Sequence, residues 1–123
     1  MTEFFPVGKL PADVLANILA KMPQHDPQVR LGPGIGLDCA VIDFGETNLV
    51  FKIEPITFAS SEIGWYAVQI AVNDISTTGA LPKWMLLTAL LPEGKTTAAS
   101  ADEIFKQVSQ TCADLGIDVI GGH

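Results

Sequence analysis

The stretch Val72-Asn73-Asp74-Ile75-Ser76-Thr77-Thr78-Gly79-Ala80-Leu81-Pro82 is the most informative part of the chain, because it places a carboxylate within the apolar stripe of a predicted helix. At about 100° per residue, Asp74 falls among apolar neighbours, whereas Asn73 falls on the polar face. A carboxylate that cannot reach water needs a hydrogen-bond donor, a cation or a metal ion. Asp74 is therefore predicted to be either a buried structural acid or a ligand. The apolar positions at helical spacing are Ala67, Val68, Ala71, Val72, Ile75 and Gly79.

Around this helix the hydrophobic pattern predicts further helices and strands in alternation. Helices are expected at 11–22, 62–80 and 100–115, the last starting at a capping box over residues 100–103. Strands are expected at 39–44, 48–53, 83–91 and 117–120, with a hairpin turn at 45–47 and a polar connector at 24–31. Strand 83–91 is apolar on both faces and is predicted to be central in its sheet. The order favours an α+β fold, a mixed sheet with helices packed on one face.

Composition limits the classes of partner. The chain has 123 residues, 48% of them hydrophobic and 17% charged, and a net charge of −7. One domain over 1–123 is expected, with no nucleic-acid backbone and no anionic membrane as partner. Residues 1–10 lack a basic start followed by an apolar run, and Cys39 and Cys112 stand in no metal-ligand spacing. A cytoplasmic protein with reduced thiols is predicted.

A glycine-rich loop at Gly32-Pro33-Gly34-Ile35-Gly36 precedes Asp38. Glycines let backbone amides approach phosphate closely, and an adjacent carboxylate could hold a Mg²⁺ ion that bridges the phosphates. The alternative is a plain loop before a strand, because three glycines without a fixed pattern are a weak motif.

Three further residues have a functional and a structural interpretation each. Lys9 could meet a phosphate or a carboxylate, or be a solvated charge. Glu54 could supply an oxygen ligand, or form a surface pair with Lys52. His123 could belong to a site as the tip of a truncated loop, or be a frayed and inert end.

Taken in order, four pieces of the chain resemble the N-terminal half of the aminoimidazole ribonucleotide synthetase-like superfamily, closest to its hydrogenase-maturation-like and synthase-related branch. The N-D-x-x-x-x-G-A-x-P element is the most specific of them. The pieces are Gly34-Ile-Gly36-Leu-Asp38-Cys-Ala40-Val-Ile42, Lys52-Ile-Glu54, Val72-Asn-Asp74 with Gly79-Ala-Leu-Pro82, and Ile120-Gly-Gly-His123.

The resemblance implies an ATP site with Mg²⁺ held by acidic residues. It also implies a homodimer in which the strands of two N-terminal domains form a β-barrel. On this pattern Asp38, Asp74 and Glu54 match metal ligands, and Lys9 and His123 match catalytic positions. The residues that match nucleotide-binding positions are Gly34, Gly36, Asn73, Gly121 and Gly122.

Departures from the family pattern leave three interpretations. Leu37 replaces an acid that many relatives carry, and Ile53-Glu54 replaces their usual Thr-Asp. The substrate-binding C-terminal domain is absent from the chain, which we expect to be one part of a longer protein.

The first interpretation is the Mg²⁺-ATP-binding and dimerising domain of an enzyme that phosphorylates a carbonyl, amide or phosphate oxygen of a small substrate. The second is a dimerisation module that has lost nucleotide binding. The third is a plain α+β domain in which Asp74 caps a neighbouring loop.

Overall fold

The computed structural model describes residues 4–57, 59 and 61–123, so the first three residues of the N-terminal segment lie outside it. The chain divides into two compact units, Met1–Phe51 and Lys52–His123. That the whole chain forms one domain stays a prediction. No helix within the described ranges is long and apolar enough to cross a membrane.

The described residues of the first unit form one helix and a three-stranded antiparallel sheet in the order β1-β2-β3. The predicted hairpin between β2 and β3 is confirmed. The amide of Phe44 donates to the carbonyl of Thr47 at 2.8 Å, and Gly45 adopts a φ of +80°, which favours glycine. The elements are α1 (Ala12–Leu19), β1 (Val29–Leu31), β2 (Ala40–Asp43) and β3 (Asn48–Phe51).

Strand β1 corrects the prediction of a polar connector over 24–31. Val29 and Leu31 pair with β2, and the guanidinium of Arg30 between them forms an ion pair with the Asp43 carboxylate of β2. The sequence Val29-Arg30-Leu31 does alternate between apolar and polar residues. Three residues are too few, however, for this alternation to be recognised as a strand.

The second unit is built on a β-α-β arrangement with one further helix. Strands β4 and β5 pair in parallel, and the helix α3 lies between them in the chain. The elements are α2 (Ile63–Thr77), β4 (Trp84–Leu87), α3 (Ala98–Leu115) and β5 (Asp118–Gly122). The core consists of buried Val68, Val108, Cys112 and Ile117, with Val72, Met85 and Leu87 packed against it.

Helices α2 and α3 approach each other closely at Gly64. A Cβ atom at this position would lie 2.4 Å from the carbonyl oxygen of Ile104, so that only glycine fits between the two backbones. The amide of Gly64 donates to Oε1 of Gln107 at 3.1 Å. A side chain of α3 thereby satisfies one of the amides at the start of α2 that has no partner within the helix.

The α+β class is confirmed, but the single mixed sheet is wrong. The described residues form two small sheets, one antiparallel and one parallel. Strand β4 is also shorter than the predicted 83–91 and is not central, because it pairs with β5 alone in the described part of the chain and leaves Trp84 and Leu86 exposed. Helix α3 begins earlier than predicted, at Ala98, with a capping box made by Thr97 and Ser100. The β-barrel across a dimer stays a prediction.

Candidate functional site

Three charged side chains of the second unit meet around one ammonium group. Nζ of Lys52 lies 2.8 Å from Oε2 of Glu54 and 2.8 Å from Oδ2 of Asp74. We call Lys52, Glu54 and Asp74 the Lys52 cluster. The side chain of Lys52 is only 5% exposed, whereas those of Glu54 and Asp74 are 38% and 29% exposed. A buried cation thus joins two carboxylates that solvent still reaches.

The local sequence explains why these three groups meet. Helix α2 turns Val68 and Val72 into the core, and this fixes the rotation of the helix about its axis. Asp74, two residues beyond Val72, is then held at the margin of the core and is not fully solvated. Lys52 and Glu54 stand two residues apart, a spacing that puts alternate side chains of an extended chain on one side.

Electrostatics keeps the Lys52 ammonium charged. Burial alone would lower the pKa of Lys52, but the hydrogen bonds and negative charges of Asp74 and Glu54 outweigh it and raise that pKa above the ordinary 10.5. With two negative charges around one positive charge, the Lys52 cluster carries a net charge of −1 when all three groups are ionised. It therefore retains a weak attraction for a further cation.

The structure resolves part of the sequence prediction for Asp74. The ammonium of Lys52 lies beside the Asp74 carboxylate and supplies one of the three kinds of partner expected for it, but the Asp74 side chain is 29% exposed, so the expectation of a carboxylate that cannot reach water is wrong. The surface-pair alternative for Glu54 is corrected: the pair with Lys52 exists, but its lysine side chain is buried. Sequence reasoning missed Lys52 as a member of the site. The clue was the alternation of Val50, Lys52 and Glu54 on one face, which brings this lysine and Glu54 to the same side.

The oxygen donors of the Lys52 cluster fit Mg²⁺ in chemical type. This ion prefers hard oxygen ligands and is usually held by one or two carboxylates together with phosphate oxygens and water. Glu54 and Asp74 provide two such carboxylates that converge on one positive charge. No group of three or more His, Cys, Asp or Glu side chains suited to a metal occurs among residues 4–57, 59 and 61–123. The metal-ligand roles of Glu54 and Asp74 stay predictions.

Asn73 and the C-terminal residues also belong to the second unit. Asn73 is exposed and precedes Asp74 on α2. Gly122 has a structural reason to be glycine, because a Cβ atom there would lie 1.8 Å from the carbonyl oxygen of Leu87. The backbone of His123 continues the pairing, since its amide donates to Leu87 at 2.8 Å and its carbonyl accepts from Ala89 at 2.8 Å. The predicted nucleotide contacts of Asn73, Gly121 and Gly122 and the catalytic role of His123 are not decided by this geometry.

The remaining predicted residues lie in the first unit. Lys9 and Asp38 are exposed. The carbonyl of Gly34 accepts from the amide of Leu37 at 3.3 Å, and Gly36 within this turn adopts a φ of +75°. The positive φ explains Gly36 as a turn residue. The roles predicted for Lys9, Gly34, Gly36 and Asp38 toward nucleotide and metal stay predictions.

An open groove of about 490 Å³ also occurs in the second unit. Residues along it include Val72, Trp84 and Leu115. None of its lining residues belongs to the Lys52 cluster. The groove is therefore not part of the candidate site.

Known proteins similar to this chain share one domain type. The family model described as AIR synthase related protein, N-terminal domain, matches residues 36–123. The chain is 28% identical over 124 residues to a protein named as a hydrogenase expression/formation protein of Methanocaldococcus jannaschii, covering 94% of this chain and 36% of that protein. It is 25% identical over 97 residues to thiamine-monophosphate kinase of Aquifex aeolicus, covering 72% of this chain and 31% of the kinase.

Two further comparisons extend the likeness. Selenide, water dikinase of Rhizobium meliloti is 28% identical over 121 residues, with 94% of this chain and 35% of the dikinase covered. The chain thus spans about a third of the length of these curated relatives. The solved structure of AaThiL complexed with AMPPCP and TMP superposes with a TM-score of 0.66 at 24% identity, covering 89% of this chain and 34% of the other, which shows a shared fold. Because the family model covers well over half of the chain, this protein belongs to the family of AIR synthase related proteins and carries its N-terminal domain.

Proposed function

We propose that this chain is the Mg²⁺-ATP-binding and dimerising domain of an enzyme that phosphorylates a carbonyl, amide or phosphate oxygen of a small substrate. The observation that carries the proposal is the convergence of Glu54 and Asp74 on one positive charge. Mg²⁺ bound to a triphosphate requires few protein carboxylates, since the phosphates supply most of its oxygen ligands.

The relatives support phosphoryl transfer as the class of reaction. Two of them are named as kinases, one for thiamine monophosphate and one for selenide and water. AaThiL, which shares the fold, was solved with the nucleotide analogue AMPPCP and with TMP. Since this chain spans about a third of these proteins, we propose that the selection of the substrate depends on residues outside it.

Within this proposal each side chain has a distinct task. Glu54 and Asp74 would hold Mg²⁺, and this ion supplies neutralisation of the charge on the phosphates. Lys52 fixes the two carboxylates relative to each other through its contacts of 2.8 Å. Asn73 offers an exposed amide beside Asp74, suited to hydrogen bonds with phosphate or ribose oxygens. Such tasks are positioning and electrostatic stabilisation, which dominate phosphoryl transfer.

A second candidate function is a dimerisation module that no longer binds nucleotide. The specific observation in its favour is again Lys52, because an ammonium that satisfies both carboxylates can replace a metal ion permanently. Both candidates require a dimer. Sedimentation of the chain as a folded monomer would contradict the dimerising part of each.

Calorimetry separates the two candidates. We expect wild-type protein to bind AMPPCP with saturable heat in the presence of Mg²⁺, and Asp74→Asn to bind at least about tenfold more weakly, since a charged metal ligand is lost. Asp114→Asn is the matched control. It removes the same charge from α3, where Asp114 is exposed and accepts from Gln110 at 2.8 Å. Absence of heat with a folded wild-type dimer would support the module without nucleotide.

A further inference from the structure

We infer that Lys52 is an internal competitor of divalent cations at Glu54 and Asp74, so that a metal ion binds there tightly only when it arrives with nucleotide. The nucleotide part of this inference rests on the proposed function. The competition between Lys52 and the metal ion does not, because it concerns the protein and the metal alone.

One ammonium in the Lys52 cluster contacts both carboxylates that would hold a metal ion. The ammonium lies at 2.8 Å from one oxygen of each carboxylate, which is the length of a charge-assisted hydrogen bond. The lysine side chain is 5% exposed, so water cannot readily take its place. The carboxylates are 38% and 29% exposed, so a cation from solvent can reach them without entering the core. The two cations therefore share the same acceptors.

Charge repulsion from the Lys52 ammonium opposes the binding of a divalent ion without nucleotide. A divalent ion bound by Glu54 and Asp74 would stand within a few ångströms of the ammonium, and like charges at that range repel strongly in a partly desolvated site. Metal alone changes the net charge of the Lys52 cluster from −1 to +1. A triphosphate would bring several negative charges with the metal and would thereby offset the repulsion.

Competition with Lys52 determines when a divalent ion binds tightly to Glu54 and Asp74. Without nucleotide, Lys52 is a positioning residue that keeps the two carboxylates together. With nucleotide, the same two carboxylates would hold the metal, and the positive charge of Lys52 would be balanced by the charge of the triphosphate. Free divalent ions in the absence of nucleotide are expected to bind weakly.

The test measures Mn²⁺ affinity by electron paramagnetic resonance, first without nucleotide. We expect Lys52→Met to bind Mn²⁺ about tenfold or more tightly than wild-type protein. Lys106→Met, which removes an exposed lysine from α3, is the control for a general change of charge and should match wild type. Adding Asp74→Asn to Lys52→Met should abolish the gain, since one of the two competing ligands is then absent.

Lys52→Gln covers the case in which Lys52→Met fails to fold, because its amide still donates a hydrogen bond to a carboxylate. Unchanged or weaker Mn²⁺ binding by the folded Lys52 variants would overturn the inference. A second titration of wild-type protein with Mn²⁺ and AMPPCP tests the proposed function separately. If AMPPCP leaves the wild-type affinity for Mn²⁺ unchanged while Lys52→Met still gains affinity without it, the nucleotide function is wrong and the competition stands.

Discussion

The two units of the chain differ in how far they bury their apolar side chains. In the second unit Val68, Val108 and Cys112 are 3% exposed or less. In the first unit α1 has no buried residue, and Cys39 is the one hydrophobic side chain of its described part that is buried. The second unit therefore has a core that can hold the Lys52 cluster in place, whereas the first unit depends mainly on backbone pairing in its sheet.

The strongest test of this difference is Gly64→Ala. The new Cβ atom would meet the carbonyl oxygen of Ile104 at 2.4 Å and force α2 away from α3. We expect a loss of about 3 kcal/mol in the free energy of unfolding, measured by urea denaturation. Alanine has the higher helix propensity, so intrinsic propensity alone would change the stability in the opposite direction.

The control for that variant is Ser76→Ala on the exposed side of the same helix. It should be neutral within about 0.5 kcal/mol. Equal stability of Gly64→Ala and the wild type would mean that the close approach of α2 and α3 is wrong.

A paired truncation compares the two units directly. Val108 is 3% exposed on α3, and Ile18 is 39% exposed on α1. Val108→Ala should cost about 2 kcal/mol because it leaves a cavity, while Ile18→Ala should cost less than about 1 kcal/mol. Thermal unfolding of both variants measures the two effects. A larger loss from Ile18→Ala would show that the apolar face of α1 is buried in solution.

The ion pairs of Lys52 predict a dependence of stability on alkaline pH. Since the folded-state pKa of Lys52 is raised above the ordinary 10.5, its contribution is fully present below that value and is lost as pH rises through the folded pKa. Lys52→Met should be less stable by about 1 kcal/mol at neutral pH, a modest effect because both carboxylates are partly solvated. The difference in denaturation midpoint should narrow between about pH 10 and pH 12. A constant difference across that range would contradict the assigned contacts.

The smallest effect is expected at the exposed ion pair of the first unit. The hydrogen bond from Arg30 and that from the amide of Gly45 lower the pKa of Asp43 below the ordinary 3.8. The stability contribution of Asp43 is therefore present above 3.8 and is lost as pH falls through the lowered pKa. Asp43→Asn should reduce the thermal midpoint slightly at neutral pH and not at all in strong acid. If the thermal midpoint of Asp43→Asn stayed below that of wild-type protein in strong acid, Asp43 would stabilise the fold by something other than its charge.

Long amphipathic segments were predictable from the sequence, whereas long-range pairings were not. The pattern around Val68 and Val72 identified α2, because one face of a helix repeats over several turns. Strand β1 has three residues, and the separation of the strands into two sheets depends on which strands meet across the chain. Neither feature leaves a periodic pattern within one segment.

The candidate site could also be predicted only in part from the sequence. The position of Asp74 within an apolar stripe indicated that its carboxylate needs a hydrogen-bond donor, a cation or a metal ion. The sequence did not show which of these it has, because Lys52 lies 22 positions away and reaches Asp74 only through the tertiary fold. A lysine two residues before a glutamate is common on surfaces, and its burial becomes visible only in the structure.

We propose that Glu54 and Asp74 form the centre of a site for metal-bound nucleotide. The most direct measurement is a titration of the isotope-labelled chain with Mg²⁺ and AMPPCP, followed by the NMR shifts of backbone amides and of the Lys52 ammonium. Binding of metal and nucleotide at this site should give saturable shifts that are largest at Lys52, Glu54, Asn73 and Asp74. Unchanged shifts at these four residues, under conditions in which the chain is folded, would contradict this proposal.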